Sequence, residues 1–210
     1  MTAIAPEIIQ KTLDNLKKHG IVALYSSTRA EAKDEVLKRI PPQAAVGVGG
    51  SVTLREIGLL EDLAKRGNKL FDHWKEGLSK EERFEVGRKQ QKSAVFLTST
   101  NALTQDGKLI NVDATGNRVT SMIFGPPEVI VVAGVNKIVK DVQEGLDRIK
   151  KVVAPQNCQR RKDPTPCAVD GVCHDCNSPG RLCRITTIIE RKPFATKEFV
   201  VILVGENLGF

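Results

Sequence analysis

The chain predicts an α/β fold of three layers: a mostly parallel sheet flanked by helices. Three observations predict it. Segments of helical and strand character alternate from end to end. Two strand candidates, SAVFLTS and EVIVVAG, are continuous apolar runs, as expected of strands buried on both faces. The 210 residues are 40% hydrophobic and 27% charged, which fits one soluble domain, residues 1–210, with a core of its own.

The elements follow in order. Residues 6–19 form a helix with Ile9, Leu13 and Leu16 on one face, ended by Gly20. IVALY is a short buried strand. STRAEAKDEVLKRIPP opens on a capping box, Thr28 with Glu31, and stops at Pro41–Pro42. AAVGV is the second strand. Ser51 caps a helix with an inner face of Leu54, Ile57 and Leu60, closed by Gly67. A strand around Lys69–Phe71 follows, then a charged helix to about Lys92 capped by Ser79 and Glu82. After the strand SAVFLTS, QDGKLINV reads as a turn at Asp106–Gly107 and a strand. Gly116 to Ile123 is a short helix, EVIVVAG a buried strand, and Val139–Lys151 a helix. Residues 154–183 are rich in Pro, Cys, Asn and Arg and read as an insertion before the last strands, RITTIIE and EFVVILVGE, which resume the sheet.

Composition bounds the function. The start, MTAIAPEIIQKTL, lacks the basic and apolar regions of a secretory signal, and the longest apolar stretch, Val129–Val135, is too short to span a membrane. A cytoplasmic protein with reduced thiols is expected. The formal net charge is +7, and Lys137–Lys197 holds thirteen Lys and Arg against seven Asp and Glu. With one Trp and one Tyr there is no aromatic-rich basic strand for stacking bases, so a nucleic-acid partner is not expected. The charge suits small anions better, although a basic face is more often merely solvated.

Two stretches place polar groups after strands. VGVGGSVTLREIG sets Gly47, Gly49 and Gly50 between a strand and a helix start, followed by Ser51 and Thr53. Backbone amides there can cradle an anion. The stretch is neither a Walker loop nor a dinucleotide fingerprint. TSTNALTQDGKLINVDATGNRV supplies Asn101, Asp113, Asn117 and Arg118. Asp113 and Arg118 can form a structural ion pair, or Arg118 can grip a carboxylate or phosphate in bidentate fashion. Lys137, after EVIVVAG, adds a cation. In open α/β sheets such post-strand loops gather at the carboxyl edge, where ligands bind. Gly47–Thr53 is therefore expected to face a cleft shared with Asn101, Asp113, Asn117 and Arg118. Gly49→Val is expected to remove binding at modest cost in stability. Asp113 and Glu56 are the acid/base candidates.

The five cysteines are Cys158, Cys167, Cys173, Cys176 and Cys183. An odd count argues against a full internal disulfide set. Cys173 and Cys176 are spaced to reach one metal, and Cys167 and Cys183 can complete four thiolates, with Cys158 as an alternative ligand. An iron–sulfur cluster or zinc suits such a set, yet the spacing is neither a zinc ribbon nor a bacterial ferredoxin run. A redox pair at Cys173 and Cys176, or inert thiols, also fits.

GGSVTLREIGL, TSTNALTQDGKLINVDATGNRV, FGPPEVIVVAGVNKIV and TPCAVDGVCHDCNSPGRLC together resemble the LUD-domain family, named for bacterial lactate-utilisation proteins, lactate-utilisation protein C in particular. The resemblance runs from about Leu13 to VILVGENLGF. It implies a fold similar to ribose-phosphate isomerases, glucosamine-phosphate deaminases and CoA transferases. It also implies an accessory redox role in oxidising lactate to pyruvate beside iron–sulfur partner proteins. Two other functions stay open: an isomerase or transferase acting on a phosphorylated or CoA-linked substrate, and a noncatalytic scaffold held by zinc.

Overall fold

The computed structural model describes residues 4–210. Residues 1–3, the start of the stretch read for a secretory signal, lie outside them. The elements are α1 (Pro6–Lys18), β1 (Val22–Ser26), α2 (Arg29–Arg39), β2 (Ala45–Val48), α3 (Val52–Glu56), α4 (Leu59–Lys65) and β3 (Lys69–Asp72). Then come α5 (Lys80–Gln90), β4 (Val95–Thr98), β5 (Ala102–Thr104), β6 (Leu109–Asp113), α6 (Asn117–Ile123) and β7 (Glu128–Gly134). After a 3-10 turn (Val135–Lys137) follow β8 (Ile138–Val139), α7 (Val142–Arg148), α8 (Ala154–Arg161), α9 (Pro166–Asp170), β9 (Ile185–Ile189) and β10 (Glu198–Val204).

The main sheet is six-stranded and all parallel, in the order β1-β10-β7-β4-β2-β3. A smaller mixed sheet, β8-β5-β6-β9, lies beside it. On one face of the main sheet, Ala32, Val36 and Ile40, with Leu54, Leu59 and Leu63, meet Val46, Val132 and Ile202. On the other, Leu13 and Leu16 of α1, Met122 of α6 and Leu103 and Leu109 of the small sheet cover Phe96, Val131 and Phe199. The outer face of the small sheet packs Ala102 and Ile110 against Ile149 and Val153. The result is a three-layer α/β structure with a mostly parallel central sheet. Among the described residues no helix is long and apolar enough to cross a membrane.

Local chemistry explains the ends. Ser79 Oγ accepts from Glu82 N at 3.1 Å while the Glu82 carboxylate accepts from Ser79 N at 2.7 Å, a complete capping box. Thr28 accepts from Glu31 N, but Glu31 reaches back one residue further, to Ser27 N at 2.7 Å.

Three expectations are corrected. The helix predicted from Ser51 to Gly67 breaks in two at Gly58, which has φ +64°. A straight helix would set Ile57 and Leu59 about 200° apart. The break lets both be buried. The helix predicted to stop at Lys151 instead widens into a π turn, Ile149–Val153, and continues as α8 to Arg161. Pro155 lies in the first turn of α8, where a wider turn accommodates its ring and missing N–H. Cys158 is consequently a buried helical residue, and residues 162–184 form the connection, with α9 as their only helix or strand. Finally, only β10 joins the main sheet. β9 runs antiparallel to β6 as an edge of the small one. Its sequence ITTII leaves only Ile189 buried, unlike the continuous apolar run of β10.

Candidate functional site

A parallel sheet ends all its strands on one edge, so the residues that follow each strand meet there. That edge borders a cleft of about 740 Å³. Gly50, Ser51 and Thr53 line it after β2, His73 and Trp74 after β3, and Ser99, Thr100 and Asn101 after β4. Asp113 from β6, Asn117 and Arg118 from α6, and Lys137 after β7 complete the wall.

The three glycines do different work from that expected. Gly47 lies in β2, where a Cβ would meet Ser93 Oγ at 2.8 Å and Phe96 at 2.9 Å. Gly49 donates its amide to Leu97 O at 2.8 Å, so that amide belongs to the sheet. A Cβ on Gly49 would come within 2.7 Å of Thr98 Oγ1 and 3.2 Å of Arg118 Cγ. Gly49→Val is therefore expected to disturb the packed interior, and modest destabilisation no longer follows. Gly50 alone of the three lines the cleft, with a Cβ position 2.4 Å from the Trp74 indole. Gly50→Ala should displace the only tryptophan of the chain and cost about 1–3 kcal/mol. The check is the emission spectrum, and an unchanged spectrum contradicts the contact.

Arg118 and Asp113 form the most saturated polar cluster on the cleft wall. They are 8% and 9% exposed. Asp113 Oδ1 accepts from Arg118 Nε at 2.9 Å, and Oδ2 accepts from the main-chain N–H groups of Arg118 and Val119, each at 3.1 Å. Arg118 Nη1 donates to Ser99 O and to Asn111 Oδ1. Nη2 donates to Asn101 Oδ1 and Val112 O, each at 3.1 Å. With Nε included, these bonds account for the five donors of a guanidinium. Arg118 has no fork left for a ligand, and the lone pairs of Asp113 are committed. The pair is the structural one of the two alternatives, holding the β4–β5 loop against α6. Asn101 Oδ1 is likewise occupied by Arg118 and by Val112 N at 2.7 Å. Asn117 Nδ2 donates to Gln90 Oε1 at 3.2 Å.

Lys137 is different. It is 4% exposed, and its Nζ donates to Ser99 Oγ at 2.8 Å and Thr53 Oγ1 at 3.0 Å. No carboxylate forms an ion pair with it among the described residues. Burial, then the fields of Arg148 and Arg118, lower its pKa to about 7, with Glu56 opposing. Arg148 itself is held by Asn101 O at 2.7 Å and Asn136 O at 3.2 Å. Glu56, the second acid/base candidate, is exposed and off the cleft wall, its carboxylate accepting from Gly209 N at 2.7 Å.

Several lining residues went unnoticed in the sequence. Trp74 stacks with Arg55 and Arg160, whose guanidinium carbons lie 4.7 and 4.1 Å from the ring centroid. His73 meets Gln90 Nε2 at 3.0 Å, and burial holds its imidazole below the usual range, Asp72 opposing. His73 and Trp74 follow β3 directly, so the post-strand rule would have found both. Lys80, Arg83, Arg88 and Arg161 add cations to the cleft, while Asp113 is the only Asp or Glu in its lining among the described residues. Arg88 is paired with Glu85 and Arg161 with Asp163.

Cys167, Cys173, Cys176 and Cys183, with Cys158 as an alternative, were the expected metal ligands. All five are free. Among the described residues no group of three or more His, Cys, Asp or Glu is arranged to hold a metal ion. Cys158 and Cys167 are buried together between α8 and α9, with Thr165 Oγ1 3.5 Å from Cys167 Sγ. Burial pushes the Cys158 thiol up to about 11. Cys183 reaches the cleft wall, and its pKa is raised by burial, opposed by Arg181 and reinforced by Cys173, Cys167 and Cys176. Cys158 is carried on α8 and Cys167 is buried beside it, while Cys183 lies within electrostatic reach of Cys167, Cys173 and Cys176. The thiols as placed do not fit a four-thiolate metal centre. His174, between Cys173 and Cys176, meets Asp170 Oδ2 at 2.6 Å through its Nε2.

Comparison with known proteins follows the same outline. The family described as the LUD domain matches residues 9–204. Among solved structures, a DUF162-family protein from Deinococcus radiodurans is similar, with a TM-score of 0.56 at 16% identity over 94% of this chain and 96% of that one. At that identity the likeness carries the fold alone. None of the curated proteins compared matches the chain.

Proposed function

We propose, because this chain belongs to the LUD-domain family, that it serves lactate or related organic-acid oxidation as an accessory protein binding a small organic anion at the carboxyl edge of its sheet. The supporting observation is Lys137, a buried amine with no carboxylate partner on the wall of a cation-rich cleft. A buried amine left unpaired is costly unless a ligand uses it. Ser99 and Thr53 hold the amine in place, and the Asp113–Arg118 cluster fixes the loop that carries Ser99. In this reading the electron-carrying steps belong to iron–sulfur partner proteins, and this chain holds the acid or its oxidised product.

A second reading has its own support. A cleft of about 740 Å³ with a stacked Trp74 is roomier than a three-carbon acid needs. That favours a phosphorylated or CoA-linked substrate, in keeping with the expected kinship to ribose-phosphate isomerases, glucosamine-phosphate deaminases and CoA transferases. Thermal shift and Trp74 emission with lactate, pyruvate, ribose 5-phosphate and coenzyme A separate the two. The first reading expects stabilisation by lactate or pyruvate that is lost in Lys137→Gln. Stabilisation by the sugar phosphate or coenzyme A alone overturns it in favour of the second.

A further inference from the structure

We propose that Lys137 is an imine-forming lysine, whose Nζ condenses with the carbonyl carbon of a 2-oxo acid held in the cleft. The proposal rests on the reading of the cleft as an organic-anion site and names the chemistry that the amine performs there.

The geometry carries it. Nζ gives its two described hydrogen bonds to hydroxyl oxygens, Ser99 Oγ at 2.8 Å and Thr53 Oγ1 at 3.0 Å. Each hydroxyl is turned to donate onward to a main-chain carbonyl, Thr53 to Leu208 O at 3.4 Å and Ser99 to Thr100 O at 3.5 Å. Both oxygens therefore offer lone pairs to the lysine. A neutral amine has two N–H bonds and one lone pair, so this cradle uses the N–H bonds and leaves the lone pair for a ligand. A lysine serving only structure would sit in an ion pair or reach solvent with its charged head. Lys137 does neither.

The surrounding charges act in the same direction. Arg148 from α7 and Arg118 from α6 face the amine, and the one carboxylate that acts on it, Glu56 of α3, is engaged by Gly209 N. Two cations against one anion favour the free base and attract an anionic ligand. With its pKa lowered to about 7, the amine has at pH 7 a free-base fraction roughly a thousandfold above that of a surface lysine. A desolvated lysine beside cations is one established way of making an amine nucleophilic.

The balance is simple. The nitrogen lone pair forms a bond to the carbonyl carbon, giving a carbinolamine. The nitrogen then loses its protons, the former carbonyl oxygen leaves with them as water, and a carbon–nitrogen double bond remains. No oxidant or reductant takes part.

The test is borohydride trapping of the full-length protein with pyruvate or glyoxylate, read by intact mass and peptide mapping. One reduced adduct per chain on Lys137 is expected in the wild type, and none at that position in Lys137→Arg or Lys137→Gln. The trapping rate should rise through about pH 7, well below the range in which surface lysines react. Thermal shift and Trp74 emission report binding separately. Binding of pyruvate without an adduct overturns the imine and leaves the anion site standing. An adduct spread evenly over surface lysines also overturns the imine. Absence of both binding and adduct overturns the imine together with the anion reading.

Discussion

Arg118→Met should lower the stability of the protein by about 3–5 kcal/mol, the cost of removing one partner of a buried ion pair. The substitution leaves the Asp113 carboxylate, 9% exposed, without its guanidinium. It also strips donors from Ser99 O, Val112 O and the side-chain oxygens of Asn101 and Asn111. For a chain of this size the thermal midpoint should fall by roughly 10 °C or more. Arg118→Lys should recover little, because one ammonium cannot replace a planar fork that reaches five acceptors. Urea and thermal melts measure it. Wild-type stability in Arg118→Met, with only ligand binding lost, would return Arg118 to the ligand-gripping role, the other alternative read from the sequence.

Lys137→Met should do the opposite, and only over part of the pH range. The folded lysine releases its proton at about 7, whereas the unfolded chain holds it to about 10.4. Between those values the unfolded state binds more protons, so wild-type stability rises with pH by up to about 1.4 kcal/mol per unit. Below about pH 7 the folded state carries the buried charge and the full penalty. Methionine removes the titration. At pH 6 the variant should be the more stable by several kcal/mol, and the gap should close towards pH 10. Paired melts at pH 6, 8 and 10 check this, since other titrating groups cancel in the difference. A gap that is constant with pH would mean that the amine is solvated.

The main-sheet strands were legible because SAVFLTS, EVIVVAG and EFVVILVGE are apolar without a break, which only a strand covered on both faces tolerates. The capping box at Ser79 was legible because it is local chemistry within four residues. The cleft could be anticipated from one topological rule, that post-strand loops share an edge, and it brought Ser51, Thr53, Asn101, Asp113, Asn117, Arg118 and Lys137 to one wall. What those residues do there was not legible. The structural and ligand-gripping roles of Arg118 both stayed open because its acceptors Ser99, Asn101, Asn111 and Val112 come from the β4–β5 loop and β6, and their convergence exists only in three dimensions. Lys137 looked like any other cation because burial and the absence of an ion-pair partner leave no mark on local sequence. For Cys167, Cys173, Cys176 and Cys183 the spacing along the chain did not tell whether the thiols assemble into a metal site, and among the described residues no such group is formed. β9 was placed in the wrong sheet although its paired threonines already marked it as half exposed.

The position of β10 has a consequence for how the protein is made. β10 is the second strand of the main sheet, with β1 on one side and β7 on the other, and Val200 pairs with both Val22 and Ile130. A ribosome emits β1 first and β10 only after every other strand. Until then β1 has no neighbour in the main sheet and β7 presents an open, largely apolar edge to solvent or to a chaperone. The sheet therefore closes in a late step, when residues 198–204 emerge and slide into a slot prepared by the rest of the chain. Messages truncated before that point should yield products that aggregate or are degraded, and the time for which the slot stands open is set by the speed of translation.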